Sequence, residues 1–377
     1  MTAARTPIWL DCDPGHDDAI AILLSLFLPE IDLLGISTVH GNAPLSATTI
    51  NAARCLLSFG SPEQAKRIPI YSGAEKPLIR VVRHDDEIHG SDGLGGVEGL
   101  LAADDPAVQA KIAETAGQKA VTALAKAAES LPEGEQLTIV ATGAFTNIAI
   151  FVALYPELVR DKVKQIVVMG GAEGRGNRSP TAEFNAMIDA HATSIVFDAE
   201  VPVIMAPLNV THTALFRTSD HSTLLVPPSA LPSLPETTPD ASTPAKAHTP
   251  LRHTLSTLLT FFAQTYATVF AFHDGPPVHD ALCIAWLVHP EMFKGKRYRV
   301  DVEIEGKWTQ GTTSVDLYNY RDEELTAWKE DPESKASWGR FGKNVYVLEE
   351  LDVPAFWALF QKAVDACDKV SILNQKQ

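Results

Sequence analysis

The chain has 377 residues, 45% of them hydrophobic, enough for a large core built as one big α/β domain or two smaller ones. Its formal net charge of −16 makes a nucleic-acid backbone an unfavourable partner but does not exclude a small neutral substrate. Four dispersed cysteines (Cys12, Cys55, Cys283, Cys367), no charged-then-apolar leader and no apolar run of ~18 residues point to reduced thiols, no membrane span and a cytoplasmic setting.

The first element carries the densest chemistry. An apolar run, Ile8-Trp9-Leu10, leads into Asp11-Cys12-Asp13-Pro14-Gly15-His16-Asp17-Asp18-Ala19, and a second apolar run follows from Ile20 to Leu24. This reads as a strand, a tight Pro-Gly turn and a helix opening on acidic residues. The helix dipole favours Asp17 and Asp18 by roughly 0.3–1 kcal/mol each, too little to keep neighbouring carboxylates ionised side by side. A cation would do so, and an all-oxygen cluster suits a hard divalent ion, Ca²⁺ or Mg²⁺. A single Asp at a helix start is often a plain cap; four carboxylates packed together after a buried strand weigh against that reading. An EF-hand loop is excluded because its twelfth position, counted from Asp11, is Ile22 rather than Glu. An aspartate-nucleophile phosphatase also opens with Asp-x-Asp, but Gly15 stands where such enzymes usually carry Thr or Val.

Residues 31–39 (IDLLGISTV) have strand character and end at His40-Gly41-Asn42; 45–59 have helical spacing, and 68–71 are short enough for a strand. Strands alternating with helices predict a parallel sheet covered on both faces, with ligands collecting beyond the carboxyl ends of the strands. Asp13 and Asn42 then face one crevice, although an Asn after a strand is ordinarily a turn residue. The glycine-rich stretch 88–96 (IHGSDGLGG) reads as a surface loop without the context of a dinucleotide fingerprint. An Ala-rich helix is expected over 107–130, then a buried strand at 137–141 (LTIVA) ending at Thr142-Gly143. The strand 165–169 (QIVVM) runs into Gly170-Gly171, and a polar loop with Asn177, Glu183, Phe184 and Asn185 precedes a helix from Asp189. One more strand is expected at 201–205.

Residues 227–250 contain seven prolines and read as a disordered or extended surface insertion. A helix follows at 255–272, where Phe262, Tyr266 and Phe270 recur every fourth residue, as a core stripe or as a lid. The turn 275–281 (GPPVHDA) delivers His279 and Asp280 to the start of the helix 280–288. Residues 299–304 and 311–317 read as an antiparallel pair, 318–342 as a Trp- and charge-rich second insertion, and 345–348 with 356–364 as the closing elements.

The run from Asp11 to Ala19 resembles the N-terminal signature of the nucleoside hydrolases, the inosine-uridine-preferring N-ribohydrolase family. The segments at Asn42, Thr142, Met169 to Asn185 and His279-Asp280 match it as well, so the resemblance covers most of 7–317 and the C-terminal helix, outside the two insertions. It implies one domain over 1–377, an α/β fold with a mostly parallel, doubly wound, Rossmann-like sheet flanked by helices, and a small antiparallel addition near the C-terminus. It also implies Ca²⁺ held by Asp13, Asp18, Asp280 and the backbone carbonyl of Thr142, with a water and two ribose hydroxyls filling a shell of up to about 8.

In the family pattern Asp13 is the general base for the ion-held water, Asp17 holds the 2′ hydroxyl and Asp11 orients its neighbours. Asn42, Met169, Asn177, Glu183, Phe184 and Asn185 surround the ribose, Tyr266 closes over the base, and His279 with His89 assists its departure. The implied reaction is hydrolysis of a ribonucleoside to base and ribose through an oxocarbenium-like state, uridine being favoured because both histidines are present. Deoxynucleosides are expected to be poor substrates. Ala281 replaces a proline that many relatives carry. The alternatives are a purine-tolerant hydrolase of the same family, a non-catalytic nucleoside-binding protein on this fold, and a metal-dependent phosphatase. Relatives are commonly dimers or tetramers, so a homo-oligomer is expected.

Overall fold

The computed structural model describes residues 5–227 and 246–375; most of the proline-rich insertion expected at 227–250 lies outside the described residues. The main sheet has eight strands: β1 (Thr6–Cys12), β2 (Ile31–Thr38), β3 (Ile70–Ser72), β4 (Leu137–Ala141), β5 (Val163–Met169), β6 (Val203–Ala206), β7 (Phe293–Tyr298) and β10 (Val345–Leu351). Their order is β3-β2-β1-β4-β5-β6-β10-β7. Every pairing is parallel except β10 with β7. A separate antiparallel pair joins β8 (Val300–Val302) to β9 (Thr313–Val315), the addition expected near the C-terminus.

The central strands are mostly apolar because helices cover both faces. On one face the helices His16–Phe27, Leu45–Phe59, Ala281–Val288 and Val353–Asp368 pack with Ile8, Leu10 and Ile36; on the other, Trp9, Phe145, Phe151 and Phe197 fill the core. The chain moves from β1 to β2 and β3 on one side, then returns to β4 on the other. Successive connections therefore diverge at the carboxyl ends of β1 and β4, which opens a crevice there. Residue 13 leaves β1 and residue 142 leaves β4 at that point.

Several boundaries differ from the sequence expectation. The helix expected over 107–130 is two helices, Pro106–Ala113 and Ala120–Glu129, parted where Gly117 takes φ +80°, a conformation that glycine alone adopts freely. The long helix runs Pro250–Phe270, so Pro250 belongs to its first turn, with Thr249 Oγ1 accepting from the Arg252 N–H at 3.2 Å; proline suits that turn because its missing N–H needs no partner there. The helix expected from Asp189 is Ala190–Phe197, capped by Asp189, and a separate short helix, Phe184–Ile188, capped by Glu183, precedes it. Residues 318–342 are ordered in short helices, and the Arg297 guanidinium of β7 lies between the rings of Trp328 and Trp338. All four cysteines are unpaired and buried. Among the described residues no helix is long and apolar enough to cross a membrane.

Candidate active site

Asp11 lies inside β1 and is fully buried. Its Oδ1 accepts from the Ser37 hydroxyl and from Asn147 Nδ2 at 2.7 Å, and Trp9 Nε1 donates to Ser37 Oγ at 2.8 Å. Burial pushes Asp11 up to about 7. It braces the end of the strand and makes no hydrogen bond to another carboxylate.

Asp13 follows, just beyond the strand. Its Oδ2 accepts from the Asn42 backbone N–H at 2.7 Å, while Oδ1 is buried without a partner among the described residues. Gly143 passes so close that a Cβ there would lie 2.6 Å from Asp13 Oδ1, and Gly41 crowds the other oxygen in the same way. Glycine at 41 and 143 is therefore a requirement of space. The Asn42 amide joins this residue to the next carboxylate: Nδ2 donates to the Asp13 carbonyl at 3.2 Å and to Asp18 Oδ2 at 3.1 Å. Asp18 also accepts from the Gly15 N–H at 3.0 Å and from Thr142 Oγ1 at 2.8 Å. The helix starting at His16 thus opens with Asp18 reaching back over its own first turn.

Oxygens of Asp17, Asp18 and Asp280 lie within 4.8 Å of one another, and all three residues are buried. Asp280 arrives from a segment distant in sequence, just before the helix Ala281–Val288; the Val278 N–H, bonded to the Ala214 carbonyl at 3.1 Å, fixes that turn. Burial, with the neighbouring aspartate charges adding to it, pushes Asp17 up to about 7 and raises Asp13 and Asp280 well above the ordinary carboxylate range. Three converging carboxylates, an orphaned Asp13 oxygen and, among the described residues, no basic side chain hydrogen-bonded to any of them make a donor set that fits a hard cation. The expected metal set had Asp13, Asp18, Thr142 and Asp280; the converging trio is Asp17, Asp18 and Asp280, and Asp13 stands next to Asp18, joined to it through the Asn42 amide. Thr142 lines the same crevice; its carbonyl accepts from Asn185 Nδ2 at 2.8 Å, and a carbonyl keeps a second lone pair.

A crevice with room for about 40 Å³ opens over this cluster. It is lined by Asp17, Asn42, His89, Thr142, Met169, Asn177, Glu183, Phe184, Asn185, Tyr266, His279 and Asp280, together with Asp85, Ile88 and Phe262. Of the residues singled out in the sequence, Asp13 and Asp18 stand behind it, joined through Asn42. Glu183 takes the N–H groups of Gly171, Asn185 and Ala186 at 2.9–3.0 Å; burial nevertheless pushes it up to about 7. Gly171 reaches Glu183 with φ +79°. Asn177 Oδ1 has no partner among the described residues, which leaves it free for a ligand hydroxyl.

The two histidines stand at the upper wall. His279 is held at both nitrogens, by Tyr266 Oη at 2.7 Å and Thr211 Oγ1 at 2.8 Å. His89 Nδ1 accepts from the His16 N–H at 3.3 Å. Burial lowers both imidazoles well below the ordinary histidine value, with His212 adding to the effect on His279 and His16 to that on His89, so both are neutral near pH 7. Phe262, Tyr266 and Ile88 form a small apolar cluster beneath Phe270 and Phe272. The stripe on the long helix is therefore packed core and pocket wall at once. Sequence reasoning misses Asp85, Ile88, Thr211 and the hydroxyl of Thr142, of which it uses only the backbone carbonyl; an acidic flank to the 88–96 loop is the one trace of Asp85.

The sequence profile of the inosine-uridine preferring nucleoside hydrolases matches residues 8–358. A pyrimidine-specific ribonucleoside hydrolase RihA from Citrobacter koseri is 38% identical over 83% of this chain and 88% of its own length. A protein of the same name from Escherichia coli O1:K1 is 38% identical over 83% and 89%. Among solved structures, a purine-preferring ribonucleoside hydrolase from Gardnerella vaginalis superposes with a TM-score of 0.76 at 26% identity, covering 97% of this chain and 100% of the other. The chain belongs to the inosine-uridine preferring nucleoside hydrolase family and is an enzyme of the ribonucleoside N-glycosidase class.

Proposed function

We propose that the chain hydrolyses pyrimidine ribonucleosides, uridine among them, to free base and ribose, with Ca²⁺ in the aspartate site. The observation that carries this reading is the meeting, in one crevice, of buried carboxylates, ribose-type hydrogen-bonding groups and two neutral histidines. The 38% identical relatives named pyrimidine-specific support the base preference. The Gardnerella protein named purine-preferring, at 26% identity, supports the runner-up, a purine-tolerant hydrolase.

In this reading Asn42, Asn177, Glu183 and Asn185 bind the ribose hydroxyls, Asp17 holds the 2′ hydroxyl, and Met169 and Phe184 wall the sugar. Asp13, Asp18, Asp280 and the Thr142 carbonyl would hold the ion, with Asp17 beside them. When bound, the ion supplies an anchor for the sugar diol and acidifies a water. Asp13 accepts that water's proton, at the Oδ1 that has no hydrogen-bond partner among the described residues. The bond from the anomeric carbon to the base nitrogen breaks with its electron pair moving to the base, and the surrounding carboxylates stabilise the positive charge that builds on the sugar. His89, being neutral and accepting at Nδ1, donates its Nε2–H to the departing base. His279, engaged at both nitrogens by Tyr266 and Thr211, acts through the Tyr266 hydroxyl, which is free to donate to the base when the His279 Nε2–H points at Oη. A cytoplasmic homodimer or homotetramer is the proposed setting, on the family resemblance.

The test is free ribose from uridine and from inosine with Ca²⁺ present, by a reducing-sugar assay, repeated with Asp13→Asn and with chelator. Faster release from uridine, lost in both controls, is the expected result. Release from inosine alone would move the reading to the purine-tolerant enzyme, and no release from either would overturn it.

A further inference from the structure

Arg178 follows Asn177 in the loop between β5 and the helix Phe184–Ile188. Its guanidinium grips Asp85 with two arms: Nε lies 3.0 Å from Oδ2, and Nη2 donates to Oδ1. Nη1 reaches Glu87 Oε2 at 3.2 Å, and the guanidinium carbon lies 5.2 Å from the centroid of the Phe270 ring. A forked Arg–carboxylate bond is stronger and more directional than a single contact. The two side chains are only 16% and 10% exposed, so solvent screens this pair less than an ordinary surface one.

The backbone of Asp85 is built into the site. Its N–H donates to the Asn42 carbonyl at 3.3 Å, and its own carbonyl accepts from the Ile88 and His89 N–H groups at 3.0 Å each. Asp85 thus starts the turn Asp86–His89 that carries His89 to the crevice. Arg178 therefore ties together three segments: the Asn177 loop, the His89 turn, and the end of the helix Pro250–Phe270, where the Phe270 ring packs 5.1 Å from Tyr266. These segments roof the crevice. The room below is about 40 Å³, against roughly 300 Å³ or more for a usual small-molecule site, so a bound nucleoside needs these segments to shift.

We propose that Arg178 is a positioning residue: through Asp85 it clasps the His89 turn to the Asn177 loop and holds the roof in the closed form that retains the nucleoside. This deepens the reaction proposed above and rests on it. Without the clasp a smaller fraction of the protein is closed, and apparent affinity falls in proportion, while chemistry inside the closed complex continues.

The experiment is steady-state uridine hydrolysis by the wild type, Arg178→Gln, Arg178→Lys, Asp85→Asn and the double variant Arg178→Gln/Asp85→Asn, with hydrogen exchange of the backbone amides of 86–89. Arg178→Gln and Asp85→Asn are expected to raise KM about tenfold with kcat within about twofold. Arg178→Lys should recover part of the loss, the double variant should be no worse than the worse single one, and exchange at 86–89 should quicken. An unchanged KM in Arg178→Gln, additive losses, or a fall in kcat at constant KM would overturn the proposal. If Asp85→Asn does not fold, the two Arg178 variants decide by themselves. Should the wild type release no ribose, the reaction is what fails; the clasp is then decided by exchange alone, and equal rates in wild type and Arg178→Gln would reject it.

Discussion

The Tyr266 hydroxyl lies 2.7 Å from Nε2 of His279, on the opposite side of the ring from Thr211. The imidazole is thereby fixed between a phenol and an alcohol, both buried. Tyr266→Phe removes one of these supports without emptying the apolar cluster beside it. It is expected to lower kcat on uridine about 10- to 100-fold, towards the lower end of what a positioned proton donor contributes, with little change in thermal stability. Steady-state kinetics and a melting curve check this, and an unaltered kcat would remove Tyr266 from the reaction.

The carboxylate cluster predicts a strong dependence of stability on the ion. Asp17, Asp18 and Asp280 crowd within 4.8 Å in a buried setting, and a cation that binds only the folded chain stabilises it by about 2.7 kcal/mol at a hundred times its Kd. Calorimetry with Ca²⁺ against chelator should show a clear rise in Tm for the wild type and almost none for Asp18→Asn. Equal melting with and without Ca²⁺ in the wild type would count against calcium.

Acid sensitivity should come in part from His40. This ring is buried, with Nε2 3.1 Å from Thr146 Oγ1, and Thr146 passes its own hydrogen to Asp189 at 2.7 Å. Nδ1 has no partner among the described residues, and burial pulls the group from 6.5 down to about 4. The unfolded chain takes up this proton before the folded one does, so the contribution of His40 to stability is complete above pH 6.5 and declines as pH falls towards 4. His212, lowered by burial to about 4, adds to the same slope. His40→Gln should flatten the decline in Tm across that window; an identical slope would assign it to other groups.

Gly143 offers a steric test of Asp13. A methyl group at 143 would meet Asp13 Oδ1 at 2.6 Å and turn the carboxylate aside. Gly143→Ala is expected to fold, with a loss of about 1–3 kcal/mol from overpacking. Its kcat should fall by about 100-fold or more, since a displacement near 1 Å at a reacting group has that effect. Wild-type turnover in this variant would contradict the role of Asp13 as base.

Much of this architecture can be read from the chain because strands covered on both faces appear as unbroken apolar runs, as at 137–141 and 165–169. The carboxylates of residues 11–18 are legible for a similar reason: they are close in sequence, and four of them have no cheap explanation as caps. Residues that depend on distant partners are not legible in that way. Arg178 and Asp85 are 93 positions apart, and each alone is an ordinary loop charge. Thr211 shows no signal until His279 is placed beside it. Glu183 reads as part of a polar loop because a glutamate cap is uncommon, and the break at 117 was hidden by alanine-rich flanks with high helix propensity. The grouping of Asp17 with Asp18 and Asp280 needed the turn before residue 281 to be folded.

That grouping joins the first turn of the chain to a residue near its last quarter, and this has a bearing on synthesis. Asp17 and Asp18 leave the ribosome early, whereas Asp280 leaves only after most of the sheet has been made. A nascent chain halted before residue 280 has two of the three converging carboxylates and a weak grip on any cation. Ion capture is therefore a late event, and in the finished protein a bound ion acts as a non-covalent cross-link between parts of the chain made far apart in time.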